Sequence, residues 1–377
     1  MLRQYEVTQV STGIHDNGYG ANGRPAAQLA AAPPLAGLTN VSCRGSDDTT
    51  RGGGPRQHVF YLKTHKTGST TMYSILAEYC RSRELFPLLP RGNHINLHGT
   101  FKPWMLSLIP GVSKYDMVFN HHIFHPDILK YLHDDTFKVT TVREPLQQFT
   151  SSFTFFSQFG EDFPYLAKIP GPDKISTFLS NPEKYEGKGT ESYTNNRQSI
   201  DLGFDYRHYR FNDTNYIKSF VANVEKYFDL VLITDYFDES LVLLKRLLRW
   251  TTQDILFFKK HNQGHPRLSV SPQQMEQHKR HSMADRALYD HFLPIFKALV
   301  SKHPDLMGEV EEFRQVLAKV GEFCGSTDRN WKQLIILAGR WTDQVSILRS
   351  KCKWLKLDEV SFTNHLKAKE TELLKDG

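Results

Sequence analysis

His58-Val-Phe-Tyr-Leu-Lys63, followed by Thr64-His-Lys-Thr-Gly-Ser-Thr70, decides the fold. The first six residues are a β-branched and aromatic run of strand length, the next seven are polar, and Ile75, Leu76 and Tyr79 then recur at helical spacing. The pattern predicts strand, loop, helix. A loop that opens a helix directly after a buried strand presents backbone N–H groups and the positive end of a dipole, which together attract anions. Lys63, Lys66, Ser69 and Thr70 add two ammonium groups and two hydroxyls. An ATP-type P-loop reads Gly-x-x-x-x-Gly-Lys-Ser/Thr, whereas Gly68, the one glycine of this loop, follows Lys66. That order disfavours a magnesium-bound nucleoside triphosphate and favours another phosphoanhydride. The plainer reading of the segment is a merely basic turn.

Working outward, Tyr115-Asp-Met-Val-Phe-Asn120, Phe137-Lys-Val-Thr-Thr-Val142 and Leu230-Val-Leu-Ile-Thr234 are further apolar runs of buried-strand type. Pro145 suits the first turn of a helix, where its missing N–H costs nothing, and Phe149, Phe153 and Phe156 continue on one face. Asp238 to Trp250 carries acids at its start and bases near its end, as a helix dipole prefers, and Asp238 and Glu239 read as capping residues. Strands alternating with helices predict an α/β fold with a central, mostly parallel sheet flanked by helices. Leu288, Phe292, Ile295, Phe296 and Leu299 then form a helical stripe, and Val310 to Val320 another. The expected organisation is a flexible stem over residues 1–55, a catalytic domain over 56–325 and a partly helical C-terminal extension over 326–377, solvated from Lys367 onward.

With 377 residues, 39% of them hydrophobic, the chain can bury a large core, which excludes disorder throughout. Lys plus Arg exceed Asp plus Glu by 47 − 41 = 6. A mild surplus of this kind suits a phosphorylated or acidic small ligand and does not call for nucleic acid. Four cysteines without a Cys-x-x-Cys pair argue against a zinc ribbon or an iron–sulfur cluster and leave disulfide pairing open. No run reaches the ~18 to 20 apolar residues of a membrane-spanning helix. Ala26 to Leu38 is short and broken by Pro33 and Pro34, so neither a span nor a signal peptide is expected from it.

A second informative stretch is Thr141-Val-Arg143-Glu-Pro145. Arg143 ends a strand, and Ser151 follows eight residues later, about two turns into the helix that Pro145 opens. A guanidinium and a hydroxyl so placed can grip a second phosphate. His121, His122 and His125 have three readings: zinc ligands, contacts to an acceptor, or packing. Asn196 and Arg197, with Gln198, can hydrogen-bond a sugar or line a solvated loop. Asn40-Val-Ser42 and Asn212-Asp-Thr214 are glycosylation patterns, meaningful only in a lumenal chain.

Together the two stretches resemble the 5′-phosphosulfate loop and the 3′-phosphate segment of sulfotransferases that use 3′-phosphoadenosine 5′-phosphosulfate (PAPS). More specifically, Phe60-Tyr-Leu-Lys-Thr-His-Lys-Thr-Gly-Ser-Thr70 resembles the Phe-Leu-Lys-Thr-His-Lys-Thr-Ala-Ser-Ser signature of galactose 3-O-sulfotransferases, the group that includes galactosylceramide (cerebroside) sulfotransferase. Similarity continues through Asn120-His-His-Ile-Phe-His125, Ser152-Phe153, Asp201-Leu-Gly-Phe-Asp205 and Tyr236 to Trp250, so that it spans roughly His58 to Phe296.

The resemblance implies a P-loop-like sulfotransferase fold and transfer of sulfonate from PAPS, without a metal, to the 3-hydroxyl of galactose in a glycolipid or glycoprotein glycan. It also implies a Golgi membrane protein with a lumenal catalytic domain, although no N-terminal anchor is evident in this sequence. Carried onto this chain, it makes His65 the base and assigns Lys63 and Lys66 to the 5′-phosphosulfate, with Thr67, Gly68, Ser69 and Thr70 completing the cradle. Arg143 and Ser151 would take the 3′-phosphate, and His121, His122, His125, Asn196 and Arg197 would face the acceptor. Between two ammonium groups the His65 imidazolium is disfavoured, so the ring is expected to be neutral. Gly68 stands where the group more usually has Ala, a change expected to keep the loop open. Sulfation of another carbohydrate, a kinase-like phosphotransferase and a non-catalytic glycan-binding derivative are the competing readings.

Overall fold

Strand β1 (Val59–Leu62) is buried over its whole length, as a strand covered on both faces must be. It lies inside a four-stranded parallel sheet with β2 (Met117–Val118), β3 (Phe137–Val142) and β4 (Leu230–Ile233), in the order β2-β1-β3-β4. The computed structural model describes residues 53–187, 192–259 and 270–373. The 1–52 part of the expected stem, with Asn40 and the Ala26 to Leu38 run, lies outside them.

Because the strands run parallel, Lys63, Arg143 and Thr234, which follow β1, β3 and β4, emerge at one edge of the sheet. In open α/β sheets, ligands bind in the crevice at that edge. Thr234 ties the strand ends together, its hydroxyl lying 2.8 Å from the Thr67 carbonyl oxygen and 3.2 Å from that of Val142.

The helices that frame this edge are α1 (Ser69–Ser82), α2 (Pro145–Phe156), α3 (Arg197–Asp201), α4 (Thr214–Tyr227) and α5 (Phe237–Leu248). After them come α6 (Pro272–His281), α7 (Met283–Ser301) and α8 (Leu306–Gly325). As expected, Phe149, Phe153 and Phe156 are buried together, in a cluster with Phe178 and Tyr193. Leu288, Phe292 and Phe296 are the buried stripe of α7.

The chain ends in a hairpin, β5 (Gln333–Ile336) and β6 (Val345–Leu348), and two helices, α9 (Lys351–Lys356) and α10 (Glu359–Leu373). A disulfide joins Cys324 at the end of α8 to Cys352 in α9, while Cys80 is a buried free thiol.

Three local expectations need correction. The run Tyr115 to Asn120 contributes only Met117–Val118 to the sheet, because Tyr115 turns aside to bond the Tyr131 carbonyl. Asp238 and Glu239 do sit in the first turn of α5, but no side chain caps that helix. Both acids instead take Arg314 of α8, at 2.7 and 3.1 Å, an interhelical clamp that local sequence cannot reveal. The segment from Lys367 to Leu373 is helical: α10 packs on α1 through Phe362 and Leu366, and Glu370 is buried with them.

Among the described residues, no helix is long and apolar enough to cross a membrane. Phe313 of α8 is fully buried, its ring tilted at 56° to that of Phe257. Truncating a buried phenylalanine costs about 3–5 kcal/mol, so Phe313→Ala is expected to lower the unfolding free energy by that amount and the urea midpoint with it. An unchanged midpoint would show that α8 is not part of the cooperative core.

Candidate active site

His65 lies on the loop between β1 and α1 and is nearly inaccessible to water. Its backbone N–H donates to Asp201 Oδ2 at 2.7 Å, and its ring Nδ1 lies 2.8 Å from the same oxygen. A carboxylate can only accept, so Nδ1 carries the proton and Nε2 keeps its lone pair. Asp201 ends the short helix α3, and one turn earlier Arg197 donates its Nε–H to Asp201 Oδ1 at 2.9 Å. The Arg197 side chain is wholly buried, with its guanidinium 4.3 Å above the Tyr193 ring.

Against the other face of His65 stacks His121, at 4.1 Å between ring centres. His121 Nδ1 donates to the Lys63 carbonyl at 2.9 Å, which leaves its Nε2 to accept from Lys63 Nζ at 2.7 Å. Lys63 Nζ is also 2.8 Å from Glu359 Oε2, so its buried charge is balanced by the first residue of α10.

Burial, and after it the positive charges of Arg197 and Lys63, hold the His65 pKa well below the usual histidine value. The ring is therefore neutral, as expected, but the leading cause is burial rather than the flanking lysines. Burial likewise raises Asp201 to about 6, against the opposing pull of Arg197.

The loop bends through two residues in the left-handed region, Lys66 at φ 61° and Gly68 at φ 76°. A Cβ on Gly68 would come within 3.0 Å of the Phe237 ring, which is a stronger reason for glycine than openness alone. The Ser69 and Thr67 hydroxyls donate to the Thr64 carbonyl at 2.7 and 3.2 Å and so brace the loop, while Thr70 is exposed. The N–H groups of Thr71 and Met72 both return to the Gly68 carbonyl, which makes those of Ser69 and Thr70 the open donors of α1. Lys66 places its ammonium 3.8 Å over the Phe155 ring and forms no ion pair among the described residues. Burial, then Lys63 and Arg143, push its pKa down to about 8.

Arg143 is clamped through its backbone, since Gln198 accepts its N–H at 2.7 Å and donates to its carbonyl at 3.1 Å. Its Nη1 donates to the Lys66 carbonyl at 3.1 Å, and its buried Nε has no partner. Ser151 is buried on α2, one turn from Gln148, whose amide donates to the His65 carbonyl at 3.2 Å.

Of the three histidines considered together, only His121 touches His65. His122 turns its Nδ1 to the Asn120 carbonyl and its ring edge to Phe60, and burial lowers its pKa to about 4. His125 caps the turn Pro126–Tyr131 by accepting the Asp127 N–H. Those divergent orientations do not build a zinc site. The one metal-like grouping among the described residues is His58, Asp116 and His133, at the opposite end of β1.

Asn196 uses its amide to hold the start of α7, accepting from the Ala284 and Asp285 N–H groups at 2.9 and 3.0 Å. Sequence reasoning gave no role to Asp201 or Glu359. The spacing of Arg197 and Asp201, i to i+4, was a visible signal for a helical ion pair; Glu359 had none.

The site thus holds a neutral imidazole oriented by a carboxylate, next to the ammonium groups of Lys63 and Lys66. Because Asp201 titrates higher when folded than when unfolded, it stabilises the fold fully below about pH 4, and that contribution is lost as pH rises to about 6. Wild-type stability relative to Asp201→Asn is thus expected to fall over that interval and to level off above it in urea titrations. A difference independent of pH would contradict the assignment.

Residues 13–342 match the family described as galactose-3-O-sulfotransferase. Galactose-3-O-sulfotransferase 2 of Mus musculus is 31% identical over 287 residues, covering 72% of this chain and 70% of the relative. Galactosylceramide sulfotransferase of Homo sapiens is 32% identical over 301 residues, covering 78% and 67%. Galactose-3-O-sulfotransferase 3 of Mus musculus is 32% identical over 250 residues, covering 65% and 57%.

Proposed function

The chain belongs to the galactose-3-O-sulfotransferase family and is a sulfotransferase, and from that premise we propose that it sulfates the 3-hydroxyl of a terminal galactose on a glycolipid or glycan, with PAPS as donor. The observation that carries this reading is the His65 ring, fixed by Asp201 with its Nε2 lone pair unused, beside Lys63 and Lys66. The donor fits the residues around it: the Arg143 Nε without a partner, the unpaired Lys66 and the open N–H groups of α1 suit an anion with more than one phosphate.

PAPS supplies the electrophilic sulfonate and an adenosine bisphosphate leaving group. Lys63, Lys66 and the N–H groups from Thr67 to Thr70 would hold the 5′ end, and Arg143 with Ser151 the 3′-phosphate. His65 Nε2 accepts the proton of the attacking galactose hydroxyl, while Asp201 maintains the tautomer and stabilises the imidazolium that results. His121, stacked on His65, would face the acceptor in this scheme. A Golgi lumenal site is the location proposed, as the family resemblance implies.

His65→Ala is expected to abolish sulfation of a soluble galactoside while leaving affinity for 3′-phosphoadenosine 5′-phosphate unchanged. Near-normal turnover would move the base elsewhere. Arg143→Ala is expected to weaken that affinity by about 1.5–3 kcal/mol, the range for a hydrogen bond to a charged group. Calorimetry reads both effects.

Lys66 loses its charge as pH rises through about 8, so kcat/KM should fall there. Lys66→Arg keeps the charge and is expected to shift that limb upward. An unmoved limb would separate Lys66 from donor binding.

A further inference from the structure

The chain from Arg91 to Thr100 has no regular structure, yet three parts of the molecule hold it in place. Ile95 donates its N–H to the His121 carbonyl at 3.0 Å, and the Asn96 side chain accepts the Ile123 N–H at 3.1 Å. Arg197 reaches the Leu97 carbonyl at 3.4 Å. From α10, Lys367 donates to the Arg91 and Gly92 carbonyls at 3.2 and 2.6 Å. These bonds set the His94 ring edge-on to His121, at 5.6 Å between ring centres.

His94 Nδ1 is buried and has no hydrogen-bond partner. Glu359 carries a second such atom: its Oε2 holds Lys63 at 2.8 Å, while its Oε1 is buried and unpartnered. The charges that act on the His94 ring are those of Glu359 and Lys63, so both orphaned atoms belong to one cluster around that lysine. A buried polar atom without a partner is costly, and two together in a folded protein call for a group that completes their bonding.

The chemistry of the pair narrows what that group is. Lys63 and Glu359 cancel each other's charge, unlike the side formed by Lys66 and Arg143, where no ion pair offsets the cations. A free carboxylate oxygen repels phosphate and sulfonate oxygens and accepts from an O–H donor. Burial keeps the His94 ring neutral, and a neutral imidazole nitrogen either donates to a hydroxyl or accepts from one. Sugar hydroxyls satisfy both atoms. A ring stack of 4.1 Å and contacts of 2.7 and 2.8 Å lead from His65 through His121 and Lys63 to Glu359.

We propose that His94 Nδ1 and Glu359 Oε1 bind the acceptor galactose through a hydroxyl next to the one that attacks, at position 2 or 4, and so determine which sugar is sulfated. This rests on the galactose acceptor proposed above and adds the two residues that read it.

The test is initial-rate kinetics with PAPS and three acceptors: methyl β-galactoside, its 2-deoxy analogue and its 4-deoxy analogue. The wild type is expected to lose roughly ten- to hundred-fold in kcat/KM on the analogue that lacks the hydroxyl these atoms bind. His94→Ala should lower kcat/KM on the full galactoside by a similar factor, mainly through KM, and should turn over that analogue about as well as the wild type does, so that the preference collapses. His94→Phe, which keeps a ring against His121 without the nitrogen, should do the same and covers a fold defect in the alanine variant. His94→Asn keeps a polar atom near the place of Nδ1 and should retain most of the preference. Glu359→Gln also disturbs Lys63, so it is read by the preference, which should shrink, rather than by absolute rate. Affinity for 3′-phosphoadenosine 5′-phosphate should be unchanged in the His94 variants.

A preference left intact in His94→Ala and His94→Phe, with the three acceptors falling together or not at all, would overturn the inference. So would a wild type that does not distinguish the full galactoside from either analogue. A wild type that binds 3′-phosphoadenosine 5′-phosphate yet sulfates no galactoside would instead contradict the proposed function itself, and the inference would fall with it.

Discussion

A guanidinium with no exposure to water constrains everything around it. Burying Arg197 costs several kcal/mol unless a charge of opposite sign and well-aimed hydrogen bonds offset the lost hydration. Asp201 supplies that charge from one turn away, and the same carboxylate then has oxygens left for the backbone and ring of His65. The neighbouring residues of α3 fasten other parts of the molecule: Asn196 the start of α7, Gln198 the backbone of Arg143, and Ser199 the carboxylate of Asp285 at 2.6 Å. Gly203 lets the chain leave this point at φ 89°, where a Cβ would lie 2.7 Å from the Phe124 carbonyl oxygen. A five-residue helix thereby fixes both halves of the candidate site.

The same burial acts with opposite sign on the two partners. It disfavours the charged form of His65 and also that of Asp201, yet Arg197 keeps the carboxylate ionised at neutral pH. The result is a neutral ring beside a negative carboxylate, the arrangement a proton acceptor requires. Two buried pairs, Arg197 with Asp201 and Lys63 with Glu359, nearly balance. Lys66 and the Nε side of Arg143 are then the positive groups without an ion-pair partner among the described residues, beside the paired Lys63.

Much of this was readable in sequence where the signals are local. The strand before His65, the Pro145 helix with its three phenylalanines, and the run Leu230 to Thr234 all carry their own periodicity. The lysine, histidine and arginine positions followed from their place at strand ends. Long-range partners were not readable. Glu359 reaches Lys63 across 296 residues of chain, from a segment with no motif. Arg314 takes Asp238 and Glu239 from a different helix, so a capping pattern hid an ion pair. His121, His122 and His125 looked alike in sequence because spacing does not report which way a loop side chain turns.

The most direct measurement is calorimetric binding of 3′-phosphoadenosine 5′-phosphate, compared with ADP and ATP, without magnesium. The account predicts selective binding of the 3′-phosphorylated nucleotide, with the selectivity lost in Arg143→Ala. Equal affinity for the three nucleotides, or none for any, would contradict it.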